Sequence, residues 1–321
     1  MKKALTSALV AVCATALAAC GSSGSSGSNG LSASGGSSAS GGGTTIASKL
    51  VLGGSPEFKT RTDGIPGLER VYGVTFGSYK TLDAGGPLTI NALKNGQIDA
   101  GDIFTTDPSI PANGFVVLQD PKNLYAAQNV LPLINKAKAS PGVTSTLKAV
   151  SDKLDTNTLA QLDVHVITDK QDPAAVAEGW LAAEGLNKTG TAAQGVSVKI
   201  GSANFQESVL LAEIYAKALQ AQGASVTTRL NIGSRETYVP GLKDGSIDLI
   251  PEYSGALLVY FDPKATAVSS ADVYAALQKA VPAPLTVLGQ SSAQDKDAIV
   301  VTKATADKYH LVTIADLANN G

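Results

Sequence analysis

Two aromatic side chains stand where a sheet would present them to a ligand. Tyr253 follows Ile250-Pro251-Glu252 at the end of a predicted strand, and Phe104 closes the run from Ile98 to Ile103. Ligand-contacting residues of α/β proteins gather at the carboxyl ends of strands, and an aromatic face there attracts a cation. Aromatics make up only 5 % of the chain, so two at such positions stand out. The alternative for each is plain packing, with the tyrosine hydroxyl satisfied in the core. Arg61 offers a planar guanidinium suited to a carboxylate; its alternative is an ion pair with Asp83 or Asp107. Asp297 could meet a cation by charge, or be a surface acid that is solvated or paired with Lys296. Asn204, Thr105, Ser208 and Ser254 could each add a hydrogen bond.

Other chemistries find little footing. His165 and His310 lie in unrelated polar segments, and no HExxH spacing occurs. No GxSxG, P-loop or GxGxxG pattern is present, and no cofactor or metal is implied. The only cysteines are Cys13 and Cys20, both near the amino terminus, so the remainder holds no disulfide and no thiol nucleophile. The net charge of −2 and the lack of a basic stripe argue against nucleic acid. Trp180 lies on a late helical stretch, where packing is its expected role.

The elements that must carry these residues alternate between strand-like and helix-like runs. Strands are predicted at 49–52, 196–200 and 226–230. A helix is predicted from Ser208 to Gln222, with Leu211, Ile214, Tyr215, Ala218 and Leu219 on one face and Gly223 as its stop. Such alternation predicts an α/β architecture with largely parallel sheets. An internal echo sharpens this. Residues 93–99 and 242–248 both read Leu-Lys-x-Gly-x-Ile-Asp, about 149 positions apart. Upstream, Leu82-Asp-Ala-Gly-Gly86 parallels Leu230-Asn-Ile-Gly-Ser234. Two echoes in one order predict two lobes of similar build, and loops at their strand ends would form a cleft.

The amino terminus has a different character. Lys2 and Lys3 precede an uncharged apolar run over 4–19, short for a spanning helix but suited to a signal peptide. It ends in Leu17-Ala18-Ala19-Cys20-Gly21, which resembles a bacterial lipobox, so Cys20 is expected to be lipidated. Residues 21–44 are nearly all Gly and Ser and are expected to act as a coil spanning about 27 Å.

Several longer runs resemble the substrate-binding proteins of ABC importers for osmoprotectants such as glycine betaine, choline and carnitine. They are Ile200-Gly-Ser-Ala-Asn-Phe-Gln-Glu-Ser208, Leu230-Asn-Ile-Gly-Ser-Arg-Glu236, and 242–255, which ends in Pro-Glu-Tyr-Ser-Gly. Also similar are Ala293-Gln-Asp-Lys-Asp-Ala298, Pro56-Glu-Phe-Lys-Thr-Arg-Thr-Asp-Gly64, Leu82-Asp-Ala-Gly-Gly-Pro87 and Phe104-Thr-Thr-Asp107. The order is exchanged: in that family the stretch like 196–318 precedes the stretch like 47–186. The chain therefore looks circularly permuted, with 187–195 joining the family's usual ends. A tandem-fusion fragment or lobe swapping between molecules are the rival explanations.

The resemblance implies a type II two-lobed binding-protein fold. One lobe would hold 45–128 with 299–321 and the other 129–298, with hinges near Gln128-Asn129-Val130 and Ala298-Ile299. It implies that Tyr253 and Phe104 belong to an aromatic cage around a quaternary ammonium. Arg61 would grip the ligand's carboxylate, and Asp297 would stand where relatives carry tyrosine. The fourth cage position would fall near Gln128, or at Tyr125. The implied partners are an ABC permease with its ATPase, and the membrane through the lipid anchor on the extracytoplasmic face. Catalysis is not expected. The alternatives are a binder of another cation or of an amino acid, a lipid-anchored enzyme of the cell envelope, a non-binding scaffold, or a permutant that folds but cannot close. The tether would enter the lobe carrying Arg61 and Phe104. If Cys20 is the anchor, Cys20→Ser should abolish incorporation of labelled palmitate and move the protein from the membrane to the soluble fraction; unchanged labelling would refute the lipobox.

Overall fold

A computed structural model describes residues 44–321. The expected signal peptide, Cys20 and nearly all of the 21–44 spacer lie outside the described residues.

The echoed motif explains how each sheet starts. A helix, Pro87–Lys94 in one copy and Arg235–Asp244 in the other, runs into a glycine at positive φ, +66° at Gly96 and +79° at Gly245. That conformation is costly for residues with a Cβ. The flanking Leu93, Ile98, Leu242 and Ile247 are all buried. The closing aspartate then clips the incoming strand to its neighbour. Asp99 accepts the Val51 N–H on a carboxylate oxygen at 2.8 Å and donates its own N–H to Val51 at 2.9 Å. Asp248 does the same to Lys199, at 2.8 and 2.7 Å.

The first sheet contains β1 (Val51–Gly54), β2 (Ser78–Thr81), β3 (Ala100–Phe104) and β4 (Val116–Val117). The second contains β5 (Val130–Asn135), β6 (Ser197–Gly201), β7 (Ser225–Arg229), β8 (Leu249–Tyr253) and β9 (Leu285–Val287). The last strand, β10 (Asp297–Val301), returns to the first sheet. The orders are β2-β1-β3-β10-β4 and β7-β6-β8-β5-β9. In both, a parallel trio is followed by one antiparallel strand and a short edge. That antiparallel strand comes in each case from the opposite half of the chain.

The guest strands are two-faced, as their period of two requires. On β5, Val130 and Ile134 join one core and Leu131 and Leu133 the other. On β10, Ile299 and Val301 face one core and Ala298 and Val300 the next. Each sheet is thus covered on both faces. The helix predicted from Ser208 spans Gln206–Ala221, and Gly223 follows it at φ +86°.

The two crossings between sheets run side by side. Asn129 bridges Gln294, the Asp295 N–H donates to the Gln128 carbonyl at 3.2 Å, and the Thr105 N–H donates to the Lys296 carbonyl at 2.9 Å. The second crossing therefore ends by Lys296, and Asp297 and Ala298 belong to β10, two residues ahead of the expected switch. The described ends also meet. The Ile46 N–H donates to Asn319 at 2.9 Å, the Gly321 N–H to Thr44 at 3.1 Å, and Thr45 bridges Asn320. The 187–195 segment is docked on the end of the Gln206–Ala221 helix, with Gly190 and Ala193 donating to Ala221 and Gln222.

Candidate functional site

The carboxyl ends of β3 and β8 face one cavity of about 230 Å³, which the crossings also border. Its most distinctive surface is aromatic. Phe104 ends β3, Tyr253 ends β8, and Phe205 stands just before the Gln206–Ala221 helix. The Phe104 and Phe205 rings lie 5.1 Å apart and the Phe205 and Tyr253 rings 6.0 Å apart, so Phe205 joins two residues from different sheets into one wall. Sequence reasoning singled out the outer two and missed the middle one. Its signal was an aromatic between a strand end and a helix start, within residues 200–208.

Acids stand behind this wall. The Tyr253 hydroxyl donates to Glu207, whose other oxygen accepts from the Thr106 hydroxyl at 2.9 Å. Asp295 accepts the Thr106 N–H at 3.1 Å. Asp163 is wholly buried beside them. Burial first, and then the charge of Glu207, holds the Asp163 and Asp295 carboxyls well above the ordinary carboxylate range. Burial, with Glu207, likewise pushes the Tyr253 phenol up, so it remains a neutral donor. Neither Glu207 nor Asp163 was expected from the sequence.

Both arginines on the cavity are already paired. Arg61 lies 3.0 Å from Asp63 through Nε and 3.0 Å from Asp297 through Nη2. Arg61 lines the cavity as expected of a ligand-facing residue, but its ion-pair partners are Asp63 and Asp297, which corrects the expected pairing with Asp83 or Asp107. Asp83 instead accepts the N–H groups of Leu88 and Thr89, and Asp107 that of Ser109. Asp297 is likewise bound to Arg61 and not to Lys296. Burial would lower the Arg61 pKa, but Asp297, Asp63 and Asp102 raise it well above its usual value, so the guanidinium stays charged. Arg235, also unforeseen, grips Glu252 through Nε at 3.0 Å and Nη2 at 2.9 Å, while the Tyr238 hydroxyl donates to the same carboxylate at 2.7 Å.

The remaining candidates divide. Asn204 and Gln128 line the cavity, although the Gln128 side-chain amide oxygen already accepts the Ala256 N–H at 2.8 Å. Tyr125 does not line it: its ring is buried in the first sheet's core, beneath the Arg61 cluster. Thr105 is also off the cavity wall; its hydroxyl donates to Asp295 and accepts the Lys296 N–H, tying down a crossing. Ser208 accepts the Ala203 N–H and Ser254 the Asn129 N–H, so both shape loops. Trp180 packs in the second sheet's core. His165 lies beside Asp169, and His310 closes a helix at φ 53°.

The model of one protein family, described as the substrate binding domain of the ABC-type glycine betaine transport system, matches residues 43–183 and 196–321. Among curated proteins, the glycine-betaine-binding protein of Pseudomonas aeruginosa is 32 % identical over 146 residues, 44 % of this chain and 46 % of that one. The glycine betaine-binding protein YehZ of Escherichia coli is 28 % identical over 144 residues, covering 43 % and 47 %. The ergothioneine transport permease/ergothioneine binding protein EgtU of Helicobacter pylori is 29 % identical over 132 residues, covering 40 % and 24 %. The chain thus spans about half the length, or less, of the curated relatives it matches.

The buried acids make stability depend on pH. Asp163 faces Glu207, Asp295 and Asp107. Its folded-state pKa lies above its unfolded value, so its contribution is whole below the ordinary carboxylate range and is lost as pH rises toward the folded value. Asp163→Asn cannot ionise. Its melting temperature should exceed that of the parent by more at about pH 8 than at about pH 5; parallel pH profiles would refute the buried neutral acid.

Proposed function

The chain belongs to the family of substrate-binding domains of ABC-type glycine betaine transport systems, and on that premise we propose that its cavity captures a quaternary ammonium compound. The observation that carries this is the wall of Phe104, Phe205 and Tyr253, bordered by Asp297. A quaternary ammonium has no N–H to donate. Ring faces and nearby carboxylates are what can attract it, and a desolvated cation–π contact contributes about 2 kcal/mol. The cavity lies between two sheets joined by two paired crossings, an arrangement suited to closure about a hinge. The captured solute would pass to a membrane permease and its ATPase. The EgtU relative, whose name joins a permease to a binding protein, supports such a partner. No helix among the described residues is long and apolar enough to cross a membrane, so the proposed attachment is the lipid on Cys20, at the extracytoplasmic face. Catalysis has little support, because the cavity acids other than Glu57 are engaged with an arginine, a hydroxyl or a backbone N–H.

We also infer that the chain is circularly permuted. Support comes from the two-block family match, from relatives aligning over roughly half their length, and from the pairing of residues 44–46 with 319–321. Tolerated permutation needs ends that lie together at the surface. A chain reordered as 196–321 followed directly by 44–186 should keep cooperative melting and the parent's ligand affinity. A reordered chain that cannot fold would count against the inference.

For the site, Phe205→Leu keeps the apolar bulk and removes the ring face. It and Tyr253→Ala should each weaken binding of a trimethylammonium ligand by about tenfold or more in calorimetry, the equivalent of about 1.4 kcal/mol. Unchanged affinity in folded variants would overturn the site.

A further inference from the structure

We propose that this cavity selects a quaternary ammonium of net positive charge, ending in a hydroxyl such as that of choline, over a zwitterion ending in a carboxylate. The proposal rests on the quaternary ammonium reading above and adds what lies at the other end of the ligand. A zwitterion needs a cationic or multiply donating group left free for its carboxylate. The wall offers two basic residues, Arg61 and Arg235, and no lysine or histidine. Both are ion-paired: Arg61 lies 3.0 Å from Asp63 and from Asp297, although its Nε and Nη2 make no well-directed hydrogen bond there, and Arg235 is hydrogen-bonded to the fully buried Glu252 through two nitrogens.

Releasing either arginine toward a ligand would strand a buried carboxylate, and a lone buried charge is far costlier than a paired one. A ligand carboxylate near Arg61 would also enter a field already negative. Asp63 and Asp297 flank that one guanidinium, so two carboxylates already face a single positive charge. With Asp295 held toward its neutral form, four acids of the wall, Glu57, Asp63, Glu236 and Asp297, stand against the two arginines. A net cation lowers this excess, whereas a zwitterion leaves it unchanged. A hydroxyl asks only for an ordinary hydrogen-bond partner, which the exposed Asn204 side chain on the wall can supply. The ligands named for the P. aeruginosa and H. pylori relatives, glycine betaine and ergothioneine, both carry a carboxylate. This chain is inferred to depart from them.

The test is titration calorimetry with three probes of one shape. Choline and glycine betaine share the trimethylammonium head and differ at the other end; 3,3-dimethylbutan-1-ol is choline without the charge. Choline should bind at least tenfold more tightly than glycine betaine, and the neutral alcohol should give no measurable binding. Glycine betaine binding as tightly as choline, or more so, would overturn this inference and leave the quaternary ammonium reading standing. No binding by either trimethylammonium compound would overturn both. The alcohol matching choline would overturn recognition by charge. Asp297→Asn releases one side of Arg61 and should narrow the choline preference by tenfold or more. Asp63→Asn serves if the first variant does not melt cooperatively, and an unchanged ratio in the folded variant would overturn the role given to the arginine pairing.

Discussion

Neither sheet of this protein is complete without a strand from the other half of the chain. β10 inserts between β3 and β4, and β5 inserts between β8 and β9. Both guests are buried along their length, so each ties two hydrophobic cores to one backbone segment. The exchange fixes where the crossings must run, and the crossings supply part of the cavity wall. Gln128 and Asp295 reach the cavity because they are the residues in transit. The ends of β3 and β8 meet across the same gap, which brings Phe104 and Tyr253 within reach of Phe205.

Burial then decides the chemistry. Charges at the cavity are screened little by solvent, so each must find a counter-charge or a proton. Arg61 and Arg235 take the first course, and Asp102, Asp163 and Asp295 are pushed toward the second. Such arrangements are weak as net stabilisers, since desolvation offsets most of the attraction. Their value is in order: ion pairs at fixed positions help hold the rings and donors in one geometry and keep both arginines beside carboxylates.

What could be read from the sequence was what is local. The Leu-Lys-x-Gly-x-Ile-Asp echo encodes a helix end, a left-handed glycine and a clip to the next strand within seven positions, and both copies fold alike. Phe104 and Tyr253 were visible because a strand end is a local feature. The Arg61–Asp297 pair joins positions 236 apart, and nothing near either residue announces the other. Asp163 reads as an ordinary helix-end acid until the fold sets it beside Glu207. Tyr125 looked like a cage residue by position, yet its side of the chain is occupied by the first sheet's core.

The place of β10 in the chain also sets a schedule. All strands of the second sheet lie between residues 130 and 287, whereas the first sheet begins at residue 51 and closes only at residue 301. A chain emerging amino end first can therefore finish the later-encoded sheet while the earlier one waits, open along the side of β3, for its last partner. Domains usually fold in the order in which they appear. Here the order is inverted, and the first-made half passes through synthesis with an unpaired strand edge, the kind of edge that invites aggregation, so its safe passage depends on β10, the last strand to be made.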